Sequence, residues 1–316
     1  MILEFVILFV VLTLALYGYL HIARKKQILD LPNHRSSHQQ ITIRGGGIVV
    51  PIAILIFWSV YQQYHFFVLG TLLISGISFV DDIKPLPSRV RLLIHFLAVS
   101  LLFFQLDLWE FQWFILPVAF VLVIGWINAM NFMDGINGIT VAYSLVTAGT
   151  LWFMYTYQVS FVNNELLEYS LIALVVFAMF NFRKRALCFA GDIGSVSIAF
   201  ILSFILVSLI ITTGKVGYLG FLLIYAIDSV GTIIERLLKR ENIFEPHRLH
   251  FYQRLANDRK IPHLIISSGY ALLQLGINMI VIHWAQTSIF QWIILSLLIT
   301  LSILYVISKQ ILFKIL

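Results

Sequence analysis

Charge is scarce in this sequence. Asp, Glu, Lys and Arg together make up 11% of 316 residues, against roughly 25% in an average soluble domain. A soluble chain of this length would expose far more surface than so few charges can cover. Cysteine is almost absent. Cys188 stands alone, so no internal disulfide can form, and the secreted disulfide-stapled class is excluded. Disordered and fibrous classes fall with the same numbers, because 60% of the residues are apolar and the mean hydropathy is +0.94. The composition predicts an all-α polytopic membrane protein, with residues 1–316 forming a single integral-membrane domain.

Apolar runs long enough to cross a bilayer lie near 1–22, 46–62, 66–80, 90–106, 112–130, 138–157, 166–182, 194–213, 217–235, 263–284 and 289–308. That makes about eleven transmembrane helices. The first run passes directly into His21, Arg24, Lys25 and Lys26 without a small-residue cleavage site, so it reads as a retained span rather than a signal peptide.

Lys and Arg set the orientation. One side of the membrane receives Arg24 to Arg44, then Lys84, Arg89 and Arg91, then Arg183-Lys184-Arg185, then the seven between Arg236 and Lys260, and finally Lys309 and Lys314. These are 20 of the 21 basic residues, and only Lys215 falls opposite. That side is expected to be cytoplasmic, with the amino terminus outside and the carboxyl terminus inside. The asymmetry also accounts for the net charge of +6 without any nucleic-acid partner.

Carboxylates near a bilayer are costly, so their positions are informative. Glu4, Asp107, Glu110, Glu165 and Glu168 fall on the outer side and read as solvated interface residues. On the inner side, Asp81-Asp82, Asp134 and Asp192 each stand where an apolar span meets a short loop. With no soluble domain to carry chemistry, an active site has to be assembled from these cytoplasmic loops.

Four segments stand out. Adjacent Asp81 and Asp82 at a helix end repel each other, and a cation or a shared proton would relieve them; the competing reading is a solvated pair before a proline turn. Asn128-Ala129-Met130-Asn131-Phe132-Met133-Asp134-Gly135-Ile136-Asn137-Gly138 alternates amides and acid with glycine. That pattern suits a heterocycle or phosphate approached by backbone, and helix capping would explain only one or two of its residues. Gly191-Asp192-Ile193-Gly194-Ser195 offers either an N-cap or a magnesium ligand. Magnesium favours one or two carboxylates plus phosphate oxygens. Phe244-Glu245-Pro246-His247-Arg248-Leu249-His250-Phe251-Tyr252-Gln253-Arg254 mixes two His and two Arg with aromatics. This suits a phosphorylated sugar, the competing reading being an amphipathic helix on anionic lipid. Asp228, inside the ninth span, reads either as functional or as a buried structural partner. Arg44-Gly45-Gly46-Gly47 offers a phosphate nest, and His95 reads as a packed helix residue.

Together these segments, preceded by Asp30-Leu31-Pro32-Asn33-His34-Arg35-Ser36-Ser37-His38, resemble the polyprenyl-phosphate N-acetylhexosamine-1-phosphate transferases. The resemblance covers span number, motif order and motif sidedness over nearly the whole chain. The His-Arg-x-His stretch with Tyr252-Gln253-Arg254 is more similar to the O-antigen initiators than to the peptidoglycan enzyme.

The resemblance implies transfer of an N-acetylamino-sugar-1-phosphate from a UDP-sugar to polyprenyl (undecaprenyl) phosphate, releasing UMP and initiating a cell-surface glycan. It places the protein in the bacterial cytoplasmic (inner) membrane. By matching motifs, Asp192 and Asn131 would hold Mg2+, with Mn2+ as the alternative ion. Asp81 would be the base, supported by Asp82, with Asp134 as the other candidate. Arg44, Asn128, Asn137, His247, Arg248 and His250 would bind substrate. Many bacterial members carry Asp where this chain has Asn137, which points to binding rather than proton transfer there. A homodimer is left open, as are the sugar and the choice between a one-step and a phospho-enzyme mechanism. The rival class is a transporter working through Asp228, although most of the acids lie at one face rather than at the midplane.

Overall fold

The computed structural model describes residues 2–32, 37, 40–242 and 247–313. Asn33 to Ser36, His38, Phe244 to Pro246 and Lys314, which belong to the sequence motifs and the charge pattern above, lie outside the described residues.

The described residues form twelve α-helices: α1 (Ile2–Lys25), α2 (Val49–Tyr61), α3 (His65–Ile83), α4 (Ser88–Gln105), α5 (Ile115–Met133), α6 (Ile139–Tyr157), α7 (Asn164–Asn181), α8 (Gly191–Thr213), α9 (Leu223–Leu238), α10 (Phe251–Asn257), α11 (His263–Trp284) and α12 (Phe290–Phe313). A two-residue antiparallel pair, β1 (Leu29–Asp30) with β2 (Thr42–Ile43), closes the loop after α1. Among the described residues, nine helical stretches are long and apolar enough to cross a membrane. Two more complete the eleven expected runs. The shorter α2 is extended by the 3-10 turn Gly46–Ile48, and α6 carries buried Thr140, Ser144, Thr147 and Thr150. The twelfth helix, α10, is a short addition in the last basic loop. The protein is an all-α, multi-pass membrane protein.

Helix α8 is the axis of the bundle, with 89% of its most apolar window buried. Small residues let its neighbours come close. A Cβ at Gly70 of α3 would meet the Phe200 ring at 2.9 Å, and Gly47 lies directly on the backbone of Gly194. Ser75 and Ser197 share a hydrogen bond of 2.7 Å across the α3–α8 contact. By contrast, only 6% of the corresponding window of α12 is buried, so that helix faces lipid along most of its length.

The ninth span is broken. It begins as a 3-10 turn, Val216–Leu222, and becomes α-helical at Leu223. Backbone groups freed inside a membrane need internal partners, and Gln274 of α11 supplies them. Its Nε2 donates to the Gly220 carbonyl at 3.0 Å, and its Oε1 accepts from the Ile224 amide at 3.0 Å.

Two helix ends differ from the sequence expectation. The run expected to stop near residue 80 continues to Ile83, which puts Asp81 and Asp82 in the last turn of α3 rather than in a loop. Helix α8 starts at Gly191, so Asp192 is its second residue. One interaction explains both ends, and it lies in the candidate site.

Candidate active site

Asp82 is buried where α3 ends beside the start of α8. Its carboxylate accepts the backbone amides of Asp192 at 2.9 Å and Ile193 at 3.0 Å. It therefore caps a helix that starts about 110 residues later in the chain, taking two of the amides that have no partner inside the helix. Gly191 makes this approach possible. Its φ is +71°, and a Cβ there would meet Asp82 Oδ2 at 2.5 Å and the Gly45 backbone at 2.8 Å. Asp82 was expected to support the base, but its oxygens are spent on α8 and on Arg44.

Arg44 reaches two acids from the loop between β2 and α2. Its Nε lies 2.6 Å from Asp82 Oδ1, and its Nη2 lies 3.0 Å from Asp192 Oδ1. Burial works against its charge, but Asp82 and Asp192, with Asp30 beyond them, more than offset that and hold the guanidinium above its ordinary range. Arg91 makes a second bridge, 2.8 Å from Asp81 Oδ2 and 3.5 Å from Asp192 Oδ2. Asp81 Oδ1 also accepts the Leu86 amide at 2.6 Å. Three acids and two arginines thus alternate where α3 ends and α4 and α8 begin.

The glycine run after Arg44 forms no anion nest. The Gly46 amide donates to the Phe189 carbonyl at 2.8 Å, and the Gly47 amide donates to Ala190 at 3.1 Å. These glycines pin β2 and α2 onto the strand of chain that leads into α8.

Beside this cluster is a cavity of about 160 Å³, lined by Asp30, Ser37, Arg44, Asn131, Asp134, Gly135, Ile136, Asn137, Asn181, Phe189, Gly191, Asp192 and Gln253. Five expected site residues therefore share one cavity: Arg44, Asn131, Asp134, Asn137 and Asp192. Asp134 follows the last residue of α5. Burial, with nearby Asp192 adding to it, pushes its carboxyl up to about 7. Among the described residues no cation pairs with it. Asn131 lies one turn earlier and donates to Ser195 Oγ at 3.1 Å. Asn137 donates from Nδ2 to the carbonyls of Arg183 at 2.9 Å and Lys184 at 3.1 Å. Both of its amide protons are therefore used in holding that basic loop, and Oδ1 is the side-chain atom left to face a ligand. An adjoining cavity of about 260 Å³ shares Ser37, Asn137 and Phe189, and its rim carries Lys184, Arg185 and His263.

Other expected residues lie elsewhere. Asn128 turns back on its own helix and donates to the Ile124 carbonyl at 2.8 Å, outside the cavity. His250, expected among the sugar ligands, is only 2% exposed, with its Nδ1 3.7 Å from Asp228 Oδ1. His247 is 4.9 Å from His250, ring to ring. Burial, then His250 and Arg236, push it down to about 4, so it is neutral at pH 7. Arg248 is half-buried in the same loop. Asp228 caps a helix as Asp82 does, accepting the Phe251 amide at 2.8 Å, the Tyr252 amide at 3.4 Å and the Tyr270 hydroxyl at 2.7 Å. It acts as a structural anchor for α10, which removes the observation that favoured a transporter.

Three contributors were missed. Arg91 was read only as a basic residue at a helix start. Asn181 binds two loops, accepting the Gly138 amide at 3.0 Å and donating to the Cys188 carbonyl at 2.9 Å; its one local signal is an amide in the last turn of an apolar helix. Tyr252 had no assigned role in the sequence motif. Its hydroxyl donates to the Phe132 carbonyl at 2.9 Å and lies against Gly135.

The donor set suits a hard cation. Asp192, Asn131 and Asp134 offer only oxygen from carboxylates and an amide side chain. Among the described residues no three His, Cys, Asp or Glu converge as a ready-made cage. Magnesium commonly takes one or two protein oxygens and completes its shell with water and phosphate.

Comparison with known proteins agrees with this geometry. The sequence profile of glycosyl transferase family 4 matches residues 64–210, which hold Asp81, Asp82, Asn131, Asp134, Asn137 and Asp192. The match covers a little under half of the chain, and over most of its length the chain is similar to undecaprenyl-phosphate N-acetylglucosaminyl 1-phosphate transferases. A probable undecaprenyl-phosphate N-acetylglucosaminyl 1-phosphate transferase of Bacillus subtilis is 24% identical, over 74% of this chain and 71% of its own length. The undecaprenyl-phosphate alpha-N-acetylglucosaminyl 1-phosphate transferase of Thermotoga maritima is 25% identical, over 81% and 83%. A phospho-N-acetylmuramoyl-pentapeptide-transferase of Dictyoglomus turgidum is 28% identical, over 72% and 82%. The family-profile match starts after Arg44 and ends before the His247–Arg254 loop, and Arg44 and Gln253 join the site through their place in the cavity wall.

Proposed function

We propose that the protein transfers an N-acetylamino-sugar-1-phosphate from a UDP-sugar to polyprenyl phosphate, releases UMP, and so starts a cell-surface glycan. The observation that carries this reading is the one cavity at the helix ends that gathers Arg44, Asn131, Asp134, Asn137 and Asp192. The lipid substrate must keep its tail in the bilayer while its phosphate reacts, and a cavity at the ends of membrane helices allows both.

Asp192 and Asn131 would hold magnesium, which would neutralise charge on the donor diphosphate. Asp134 is the base in this reading. It faces the cavity without a cationic partner among the described residues, whereas Asp81 gives its oxygens to Leu86 and Arg91. A carboxyl near 7 is matched to accepting a phosphate proton at neutral pH. Arg44 holds Asp192 in place. Asn137 fixes the loop carrying Lys184 and Arg185, whose charges suit the nucleotide phosphates. His247 and Arg248 would bind the sugar phosphate by their match to the family motif, while Gln253 of the same stretch lines the cavity. A lipid phosphate oxygen attacks the phosphorus next to the sugar, the bond to UMP breaks, and the sugar C1–O bond is kept. The basic loops lie in the cytoplasm of a bacterial inner membrane, with the carboxyl terminus on that side. The names of the relatives make UDP-N-acetylglucosamine the first donor to try.

The test is chromatography of the aqueous phase after incubation with UDP-N-acetylglucosamine and polyprenyl phosphate. UMP is expected in step with lipid-linked sugar. UDP as the stoichiometric product would overturn sugar-phosphate transfer.

A further inference from the structure

Helix α12 faces lipid along most of its length, and Lys309 and Phe290 are its only buried residues among those described. A lysine buried on such a helix needs a reason. Its Nζ donates to Glu235 Oε2 at 2.8 Å and to Thr232 Oγ1 at 3.3 Å, both on α9. Buried ion pairs contribute little net stability, because desolvation offsets attraction. What such a pair does supply is register, since it is satisfied in only one alignment of the two helices.

That alignment seats Tyr305, one helical turn earlier. Its ring lies on Gly231, where a Cβ would meet it at 2.6 Å. Its hydroxyl is 3.1 Å from Thr232 Oγ1 and 3.2 Å from Asp228 Oδ1. Asp228 in turn holds the first two amides of α10, and Tyr252 of α10 reaches the Phe132 carbonyl, two residues before Asp134. At its other end α10 is also gripped by α12. Arg254 stacks on the Phe313 ring at 4.5 Å, and Arg259 donates to the Leu312 carbonyl. A continuous line of polar contacts therefore runs from the lipid-facing last helix to the loop that carries Asp134.

We infer that Tyr305, seated by the Lys309–Glu235 pair, is a positioning residue for the active site: through Asp228 it sets α10, and through Tyr252 it sets the loop of Asp134. The inference rests on the proposed reading of Asp134. Tyr305 touches neither substrate nor reacting atoms, and its effect passes through two helix ends.

The experiment uses the full chain in lipid nanodiscs and compares Tyr305→Phe, Lys309→Met and Lys309→Arg with the parent. Tyr305→Phe keeps the ring on Gly231 and removes only the hydroxyl. UMP release should lose about tenfold in kcat while the KM for UDP-N-acetylglucosamine stays within about twofold, because the loop of the base is misplaced while the groups that bind the donor remain. Hydrogen exchange of the α10 amides at 251–252 should quicken at least about fivefold, while the amides at 192–193, held by Asp82, stay unchanged. Lys309→Met should repeat both effects, and Lys309→Arg should restore them. Unchanged kcat, an equal rise in exchange at 192–193, or Lys309→Arg no better than Lys309→Met would each overturn the inference. Absence of UMP from the parent protein would refute the reaction instead, and the exchange measurements would still decide whether Tyr305 controls α10.

Discussion

Replacing Asp82 by Asn separates a structural acid from a chemical one. The parent carboxylate accepts the amides of Asp192 and Ile193 and forms an ion pair with Arg44, whose Nε lies 2.6 Å away. An amide side chain has one oxygen. If that oxygen keeps one α8 amide, the new NH2 group faces the other donor, and a buried N–H loses its acceptor. Such an orphan costs about 1–3 kcal/mol, and weakening a helix N-cap costs about 0.5–2 kcal/mol. The broken ion pair adds little, because Arg44 is one-third exposed and keeps Asp192. The expected destabilisation is about 3 kcal/mol. At about 2–4 °C per kcal/mol, the scale for domains of roughly 150–250 residues, the apparent melting temperature should fall by about 6–12 °C. The assay is thermal unfolding of the purified protein in detergent, followed by loss of the monodisperse peak and run beside Asp134→Asn. The latter removes a carboxyl with no cationic partner among the described residues and should not lower the melting temperature. If Asp82→Asn melted within about 2 °C of the parent while abolishing UMP release, the capping argument would be wrong and Asp82 would belong to the chemistry.

Asp134 itself should give a pH signature in chelator. Its folded carboxyl sits near 7 against an ordinary 3.8, so its stabilising contribution is complete below about pH 4 and is lost as pH rises through 7. The melting temperature of Asp134→Asn relative to the parent should therefore climb between pH 5 and 8, and a flat difference would show that the group is not desolvated. Asp192→Asn should fold but lose most activity, with a higher magnesium requirement, because one formal charge on the ion is gone; parental activity across a magnesium titration would remove Asp192 from the ligand set. Arg44→Lys should lower kcat/KM by about tenfold or more, since one ammonium cannot serve Asp82 and Asp192 as the fork does. If Lys works equally well, the two-acid bridge is unimportant.

The membrane architecture was legible because it follows from composition. A chain that is 60% apolar, with its Lys and Arg confined to alternate connections, allows few other arrangements. Every expected run became a helix. The misplaced boundaries have one origin. Local hydropathy ends a helix at the first charge, and Asp81-Asp82 is such a signal, yet α3 runs on to Ile83 because Asp82 is needed at the start of α8. The short α10 was equally hidden. Its seven residues carry Arg254 and Gln253, with no apolar stripe long enough to announce a helix, and it is held by Asp228 and by the end of α12.

The roles of the acids were less legible than their positions, for a physical reason. A carboxylate that caps a helix and one that holds a cation occupy the same kind of place: the end of an apolar span, beside glycine, on the polar side. Asp82 and Asp228 each accept two backbone amides at the start of a helix elsewhere in the chain, because an orphan amide at a membrane boundary is as costly as an unpaired charge is conspicuous. No local pattern distinguishes them from Asp192, whose carboxylate points away from the amides of its own helix toward Arg44 and Arg91. With the two capping acids removed, and with Asp81 committed to Leu86 and Arg91, Asp134 and Asp192 remain as the acids of the family motifs that open onto the cavity with Asn131. One is bridged to two arginines, which fix the place of its carboxyl at the cavity wall. The other has no such partner among the described residues and is raised toward neutrality, as a proton acceptor for a phosphate must be. Two acids with different partners suit the two roles, cation ligand and proton acceptor, of the proposed phosphoryl transfer.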